Sequence, residues 1–303
     1  MTSNQSLVEK VRARLNLSSQ KDLNKDIAKV FTANDNLLQV SSWIPMKDFF
    51  KKATGGDGFP CGHITQIVGK PDSGKSTAMA EGMVATQRLG GVAYLIDAEH
   101  KFSLERFATM GGIPDDLVVI QVESLEEAWD AIDRILNEIR VLRSEGITEP
   151  MFLGWDSVAA SVPNAILSDD SGDAHVAVEA KINNKNVRKL RQAIKETEIA
   201  CVFINHYYMT QPKTKYERSE MIIKGGEELT FLSTLILVTK QGAQITRTIH
   251  EEEQKIGRVT RFLVHKGHFH GRTMNQDVFV VDKGILNSEA ELTEYRKSLR
   301  GEL

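Results

Sequence analysis

Residues 69–77 read GKPDSGKST, and their types and spacing are those of a phosphate-binding loop. They match G-x-x-x-x-G-K-[ST], a pattern that is specific when it follows a strand and precedes a helix. An apolar run over residues 64–68 comes before the motif, and a helix-compatible stretch follows it. Glycines let backbone N–H groups turn towards phosphate oxygens, and the helix adds its positive N-terminal end. The sequence therefore predicts a nucleoside triphosphate bound by Gly69, Lys70, Pro71, Asp72, Ser73, Gly74, Lys75, Ser76 and Thr77.

Two side chains of this loop and one distant carboxylate have the chemistry to hold phosphates and a magnesium ion. Lys75 is expected to reach the β- and γ-phosphates, and the Ser76 hydroxyl is expected to bind Mg²⁺. Asp156 ends a second apolar run, residues 151–155, so it should lie at the crevice where α/β sheets bind ligands. We expect Asp156 to hold Mg²⁺ through water. The alternative is an aspartate that only caps the following segment.

Hydrolysis of a γ-phosphate also needs a group that orients and deprotonates water. The apolar run that begins at Val92 ends in Asp97-Ala-Glu99-His100, which brings carboxylates to the same edge of the sheet. We assign Glu99 as the general base, because it lies beyond the strand and is free to project into the crevice. Asp97 is then a supporting strand-end residue, and His100 is the alternative base.

A further apolar run, residues 201–204, ends in Asn205 and His206, which should also lie near the γ-phosphate. One of them would report phosphate occupancy to the next segment, as γ-phosphate switches do. That segment, residues 207–226, interleaves cations with aromatic rings, which suits single-stranded nucleic acid. The alternative is a solvated mobile loop. The candidate DNA-binding residues here are Tyr207, Tyr208, Lys213, Lys215, Tyr216, Arg218, Lys224, Gly225 and Gly226.

A second loop, residues 163–175, follows the Asp156 strand and is rich in Gly, Ser and Asp. The next helix carries a series of cations, which in part form an ordinary solvated face. Because both loops leave the same edge of the sheet, they suggest one shared site.

The elements that position these groups are short apolar runs alternating with helices. Helix-length segments lie at about 77–89, 103–110, 124–143 and 174–197, and the third has a clear 3.6-residue apolar stripe. This alternation predicts an α/β fold with a mostly parallel central sheet flanked by helices. After residue 230 we find no further helix-length segment, and three strand-like runs follow closely. This pattern predicts an antiparallel C-terminal extension.

Composition sets broader limits. The 303 residues are 41% hydrophobic and 26% charged with a net charge of −3, which is ordinary for a globular protein. Cys61 and Cys201 lack zinc-site or disulfide spacing and indicate a reducing compartment. The sequence shows no secretory signal and no apolar stretch of membrane-spanning length. We therefore expect a cytoplasmic protein without a membrane partner.

The first forty residues are polar, with sparse helical spacing of apolar residues. From the residues alone, this segment either packs on its own domain or docks on a neighbouring copy. The sequence thus divides into an N-terminal segment (1–40), a core (41–285) and a short C-terminal tail (286–303).

Several strings in this order and spacing resemble the core of the RecA/UvsX-like recombinase family. They are the phosphate loop, DAEH at 97–100, DSVAA at 156–160, GDAH at 172–175, FIN at 203–205 and KGG at 224–226. The resemblance runs from about residue 40 to 285, and the chain looks like a compact, phage-encoded member. It implies a RecA-like P-loop ATPase core that uses ATP and Mg²⁺. It also implies a filament on single-stranded DNA, pairing with homologous duplex DNA, and an N-terminal arm for oligomerisation.

The resemblance also assigns residues. Glu99 falls on the family's catalytic glutamate, Asp156 on its Mg²⁺-associated aspartate, and residues 163–175 and 207–226 on its two DNA-binding loops. Lys181 and Arg188 fall on basic DNA-contact positions. The family's glutamine sensor is His206 here, which adds pH sensitivity.

Two further departures concern the nucleotide and the protomer interface. Arg106 replaces a tyrosine that stacks on adenine, and its guanidinium can stack instead. Two lysines that reach ATP from the neighbouring subunit fall near His265 and Gly267, with Lys266 between them as the candidate cation.

Two rival functions share these features. A ring-forming DNA helicase or translocase would use the same ATPase core, since the sequence allows ring closure. A recombination-mediator paralogue would bind ATP but scarcely hydrolyse it. The intact set of Lys75, Glu99 and Asp156 opposes the second rival, whereas His206 and the altered interface cations favour it.

Overall fold

The structure is a computed structural model that describes residues 40–167, 175–212, 218–249, 252–267 and 274–300. The strands are β1 Trp43–Pro45, β2 Gly58–Pro60, β3 His63–Gly69, β4 Val92–Asp97, β5 Leu117–Gln121, β6 Met151–Asp156, β7 Ala200–Asn205, β8 Tyr207–Met209, β9 Met221–Ile223, β10 Leu235–Ile249, β11 Glu252–Gly267, β12 Gln276–Val281 and β13 Gly284–Leu286. The helices are α1 Asp48–Thr54, α2 Lys75–Arg88, α3 Leu104–Thr109, α4 Leu125–Ser144, α5 Asn164–Leu167, α6 His175–Thr197, α7 Glu227–Leu232 and α8 Glu289–Ser298.

One nine-stranded sheet organises this part of the chain, in the order β13-β12-β11-β10-β3-β7-β6-β4-β5. Strand β3 pairs in parallel with both β10 and β7, and the strands from β7 to β5 continue in parallel. The neighbours from β10 to β13 are antiparallel. This arrangement confirms the predicted α/β class, with its parallel centre and its antiparallel C-terminal extension.

Apolar layers cover both faces of the sheet, because the central strands are buried almost throughout. Helix α2 packs on one face through Met79 and Met83, which are fully buried with Phe152. Helices α4 and α6 cover the other face, where Trp129 contacts Trp155 edge to face with ring centroids 5.2 Å apart. Such a pair contributes about 0.5–1.5 kcal/mol beyond its buried area.

The apolar stripe predicted on α4 is buried, and α4 begins where its sequence supplies a cap. Ser124 Oγ accepts a hydrogen bond from Glu127 N at 3.2 Å, while the Glu127 carboxylate accepts one from Glu123 N. The Ser124 cap satisfies one of the N–H groups that a helix start leaves without a partner, and the Glu127 carboxylate adds a bond to the residue before the cap. The thiol of Cys201 is buried in the same layer, and burial raises its pKa.

Three local predictions need correction. The prediction that no helix follows residue 230 is wrong, because α8 follows β13 and buries Leu292 and Tyr295 against β10 and β12. Strands β10 and β11 are far longer than their apolar runs and form one twisted hairpin with register shifts. Residues 207–226 are not irregular throughout, since β8 and β9 pair as an antiparallel ribbon.

The predicted N-terminal arm, 1–40, lies outside the described residues except for its last position.

Candidate functional site

Four neighbouring strands deliver the predicted polar groups to one edge of the sheet. Strands β3, β7, β6 and β4 run in parallel and end at Gly69, Asn205, Asp156 and Asp97. Asp97 and Asp156 are direct partners in register. The carboxyl ends of parallel strands are where open α/β sheets bind ligands. The structure thus brings together the phosphate loop, the acidic groups and the sensor that the sequence singled out.

The phosphate loop connects β3 to α2 as its motif predicts. Gly74 precedes the helix with φ of 82°, a conformation that glycine adopts without strain. Lys75 is only 6% exposed, and its Nζ donates to the carbonyl of Lys70 at 2.8 Å across the loop. Burial lowers the pKa of Lys75, while nearby Asp156 and Glu99 act in the opposite direction. The ammonium group is therefore held, largely desolvated, where phosphate oxygens would take over its contacts.

Ser76 and Asp156 together offer a site for a divalent cation. The Ser76 hydroxyl hydrogen-bonds to the Asp156 carboxylate at the start of α2. Burial raises the pKa of Asp156 to about 6, and the neighbouring carboxylates of Glu99 and Asp97 add to that rise. A desolvated carboxylate beside a hydroxyl is the oxygen donor set that suits Mg²⁺, which takes its remaining ligands from water and phosphate. The residues present therefore fit the ion that the sequence predicts.

Glu99 lies beside this pair and is held by Ser157, the residue after Asp156. Ser157 Oγ donates to Glu99 Oε1 at 2.8 Å, and Lys101 Nζ lies 3.5 Å from Oε2. Partial burial alone would raise the pKa of Glu99, but the Ser157 bond and the Lys101 charge outweigh it, so the pKa is lowered. Glu99 is therefore ionised at neutral pH, as a general base must be. Sequence reasoning missed Ser157; its only signal was its place directly after a strand-end aspartate.

His206 bridges the phosphate loop and Glu99. Its Nδ1 lies 3.1 Å from the carbonyl oxygen of Gly69, so Nδ1 must carry the proton. Its Nε2 faces Glu99 Oε1 at 3.8 Å. Burial and the charge of Lys75 lower the pKa of His206 despite Glu99. The ring is therefore neutral at pH 7. His206 Nε2 and Glu99 Oε1 are then two hydrogen-bond acceptors that face each other.

Arg106 lies on the other side of the loop, next to Thr77. Its guanidinium donates to Thr77 Oγ1 at 2.8 Å and to the carbonyl of Val281, in strand β12, at 3.1 Å. A small pocket here is lined by Ser76, Thr77, Ala80, Asp97, Glu99, Lys101, Phe102, Ser103, Arg106, Phe107, Met110 and Asp156. The guanidinium plane is therefore fixed at the wall of a pocket that also contains the predicted metal site.

Asp97 and His100 both contact backbone groups near the end of β4. The Asp97 carboxylate accepts from the backbone N–H groups of Lys101 and Phe102, at 3.4 and 3.3 Å, and so caps the turn after β4. The ring of His100 lies 3.2 Å from the carbonyl of Val122. The roles of Asp97 as a supporting residue and of His100 as the alternative base remain predictions.

The predicted DNA-binding segment begins at His206 and returns at Lys224, whose N–H donates to the His206 carbonyl at 3.0 Å. Gly225 and Gly226 follow with φ of 88° and 96°. Of the two tyrosines on β8, Tyr207 packs against a small apolar cluster, whereas Tyr208 is 51% exposed. Arg218 and Lys224 are also exposed, and Lys213, Lys215 and Tyr216 lie outside the described residues.

The cations of α6 differ in availability. Lys181 lines a shallow groove with Lys185 and Arg188. Arg188 donates two hydrogen bonds to Glu228 of α7, at 2.9 and 3.3 Å. Because this ion pair is exposed, it stabilises the fold little, and a phosphate could compete for Arg188.

Lys266, the candidate interface cation, is occupied within its own chain. Its Nζ donates to the carbonyl oxygens of Thr230 and Phe231, and lies 5.5 Å from the centre of the Phe231 ring. Two of the three N–H donors of this ammonium group are therefore used within the chain.

No three His, Cys, Asp or Glu side chains among the described residues cluster so as to hold a metal ion by themselves. None of the helices in that part of the chain is long and apolar enough to cross a membrane.

Comparisons with known proteins agree with this geometry. The family model described as the RecA N-terminal domain matches residues 21–284. Protein RecA of Streptococcus thermophilus is 30% identical over 220 residues, which cover 71% of this chain and 54% of the relative. Protein RecA of Leptospira meyeri is 32% identical over 220 residues, covering 71% of this chain and 51% of the relative. The chain thus spans about half the length of the curated relatives that it matches.

Proposed function

The chain belongs to the RecA family, and on that premise we propose that it is an ATP-dependent recombinase. It assembles on single-stranded DNA, pairs that strand with homologous duplex, and hydrolyses ATP to ADP and phosphate. The observation that carries this proposal is one continuous set of contacts at the sheet edge. It runs from Gly69 through His206 to Glu99, and Glu99 is held by Ser157 next to Asp156. Catalytic groups and the base of the proposed DNA segment are therefore physically joined.

In this proposal the loop backbone and Lys75 bind the triphosphate, and Ser76 and Asp156 hold Mg²⁺, which would offset charge on the phosphate oxygens. Glu99, ionised and fixed by Ser157, takes the proton of the attacking water. His206 Nε2 faces the same point and helps to orient that water. Arg106 forms one wall of the nucleotide pocket.

The DNA site is formed by the two loops that leave this edge, residues 163–175 and 207–226, with Lys181 and Arg188 of α6. Phosphate contacts from their cations make binding salt-dependent, and Tyr208 offers an exposed ring for stacking. ATP occupancy, sensed at His206, orders the ribbon around DNA, and hydrolysis releases it. We infer a cytoplasmic location from the proposed ligands, ATP and DNA.

The decisive experiment is the rate of ATP hydrolysis with and without single-stranded DNA. We expect strong stimulation, because the sensor and the ribbon are contiguous. A measurable rate that ignores DNA would reject the recombinase mechanism, and no hydrolysis in either condition would favour the mediator. Electron microscopy with ATP and single-stranded DNA then separates a helical filament from a closed ring.

Replacing Lys213, Lys215 and Arg218 by alanine should weaken single-strand binding and flatten its salt dependence. The slope of log K against log salt should fall by about two, since each phosphate contact on a single strand contributes about 0.7. Fluorescence titrations at several salt concentrations measure this slope. A variant with Lys240, Lys255 and Lys297 replaced, which changes the charge equally on exposed positions of the C-terminal part, should keep it. If the two variants have the same slope of log K against log salt, the cations of this loop do not contact DNA phosphates.

Acid should reduce ATP use through Asp156. Its pKa of about 6 means that it takes up a proton as the pH falls through 6, and a neutral carboxyl is a poor ligand for Mg²⁺. We therefore expect kcat/KM for ATP to fall on the acid side with an apparent pKa of about 6. The matched control is His206→Gln, because the pKa of His206 is lowered and its protonation would also disturb Glu99. If His206→Gln no longer shows the fall in kcat/KM at acid pH, the group that titrates is His206 and not Asp156.

A further inference from the structure

A line of buried polar side chains crosses the centre of the sheet beneath the proposed sensor. Gln66 of β3, Asn205 of β7 and Ser233, just before β10, are each at most 1% exposed. Gln66 Nε2 donates to Ser233 Oγ at 3.0 Å, and Asn205 Nδ2 donates to Gln66 Oε1 at 3.1 Å. Buried amides are rare in an otherwise apolar parallel sheet and require full hydrogen bonding.

The hydrogen bonds at both ends of this line determine which group donates and which accepts along it. The Ser233 hydroxyl gives its only proton to the carbonyl of Leu229 at 2.6 Å, so it can only accept from Gln66. Gln66 must then turn its amide oxygen towards Asn205. Asn205 must in turn present its NH₂ to Gln66 and keep its oxygen for the other side. One hydroxyl on the far side of β3 therefore selects the orientation of an amide next to the phosphate site.

That orientation controls both ends of the proposed DNA segment. Asn205 Oδ1 accepts the backbone N–H of His206 at 2.8 Å, and Asn205 Nδ2 also donates to the carbonyl of Lys224 at 2.7 Å. A second buried amide, Asn183 of α6, donates to the carbonyl of Gly225 at 2.9 Å. An inverted Asn205 would face two backbone groups with the wrong atoms. Gln66 therefore adds a third bond that holds Asn205 in the one orientation that matches both backbone partners.

We propose that Gln66 is a positioning residue that couples nucleotide occupancy at His206 to the base of the 207–226 segment. It touches neither nucleotide nor DNA and acts through Asn205 alone. The proposal rests on the proposed function, because it names the internal connection between the ATP site and the DNA loop. Its consequence is that hydrolysis and its response to DNA can be separated by a substitution inside the core.

Gln66→Met tests this, since methionine has a similar length and no hydrogen-bonding amide. The matched control is Thr65→Val: Thr65 is the next residue on the strand, is also fully buried, and its hydroxyl has no hydrogen-bond partner among the described residues. We expect Gln66→Met to reduce the DNA stimulation of ATP hydrolysis by about tenfold, within the usual range of coupling between sites. Its basal rate should stay close to that of Thr65→Val. Equal stimulation in the two variants would overturn the proposal.

Hydrogen exchange gives a second readout that needs no DNA. In the wild-type protein, a non-hydrolysable ATP analogue should slow exchange in peptides covering residues 205–209 and 221–226. Gln66→Met should lose this slowing, and Thr65→Val should retain it. Ser233→Ala should weaken the slowing, because loss of the Ser233 hydroxyl leaves the Gln66 amide free to rotate. A wild-type protein whose exchange ignores the analogue would also overturn the inference. A wild-type protein without DNA-stimulated hydrolysis but with this exchange response would instead reject the proposed function and leave the coupling standing.

Discussion

Lys75→Ala should abolish productive ATP binding and, with it, tight binding of single-stranded DNA. Lys75 is 6% exposed, and its ammonium group lies close to the negative charges of Asp156 and Glu99. Removing it takes away the countercharge for the phosphates and leaves two carboxylates that repel them. Truncating one partner of a buried charge pair costs about 2–5 kcal/mol, so we expect ATP affinity to fall at least about thirtyfold. Titration with a fluorescent ATP analogue measures this loss directly.

The control for this change is Lys52→Ala, which removes an exposed lysine on α1. It should bind the analogue like the wild-type protein. The folded state of Lys75→Ala can be verified by thermal unfolding, since Lys75 is desolvated and its loss should not lower the melting temperature greatly. If the variant binds ATP normally, the phosphate site does not lie on this loop.

Glu99→Gln should retain ATP and DNA binding while turnover falls by about 10²–10⁴-fold, the usual contribution of a general base. Glutamine keeps an oxygen for the Ser157 hydroxyl, so the local geometry survives, but it has no negative charge to accept the proton of water. Single-turnover hydrolysis with excess protein isolates the chemical step from product release.

Glu105→Gln is the matched comparison, because Glu105 is an exposed carboxylate on α3. Its turnover should equal that of the wild type. Full turnover in Glu99→Gln would remove Glu99 as the base and direct attention to His206, whose Nε2 faces the same point. A loss of ATP binding in Glu99→Gln would mean that the residue binds the nucleotide instead of activating water.

The central sheet could be predicted because its strands are local apolar runs bounded by polar residues. Strand β3 and the loop after it follow from a motif whose residues are adjacent in sequence, and α4 follows from its periodic stripe. The extent of β10 and β11 could not be predicted, because their distal halves are polar and are held by pairing with each other. Helix α8 was missed because few of its residues are apolar, and only packing against β10 and β12 makes Leu292 and Tyr295 part of a core.

The candidate site divides in the same way. The loop motif was enough to select Lys75 and Ser76, and a position at or just after a strand end selected Asp156, Glu99 and His206. What sequence could not supply were contacts between residues far apart in the chain. Ser157 holds Glu99 across 58 positions, Arg106 reaches Val281 across 175, and Ser233 sets Gln66 across 167.

The sequence by itself determined the phosphate loop, the acidic strand ends and membership of the family, since each depends on residues that are neighbours along the chain or recur at a fixed spacing. Only the tertiary structure decided which polar groups share a hydrogen bond and which way each buried amide points. The physical reason is that a buried polar atom must find a partner, and the fold alone determines which partners are within reach. Gln66 looks like any strand residue in the sequence; its place between Ser233 and Asn205 makes it the candidate for coupling.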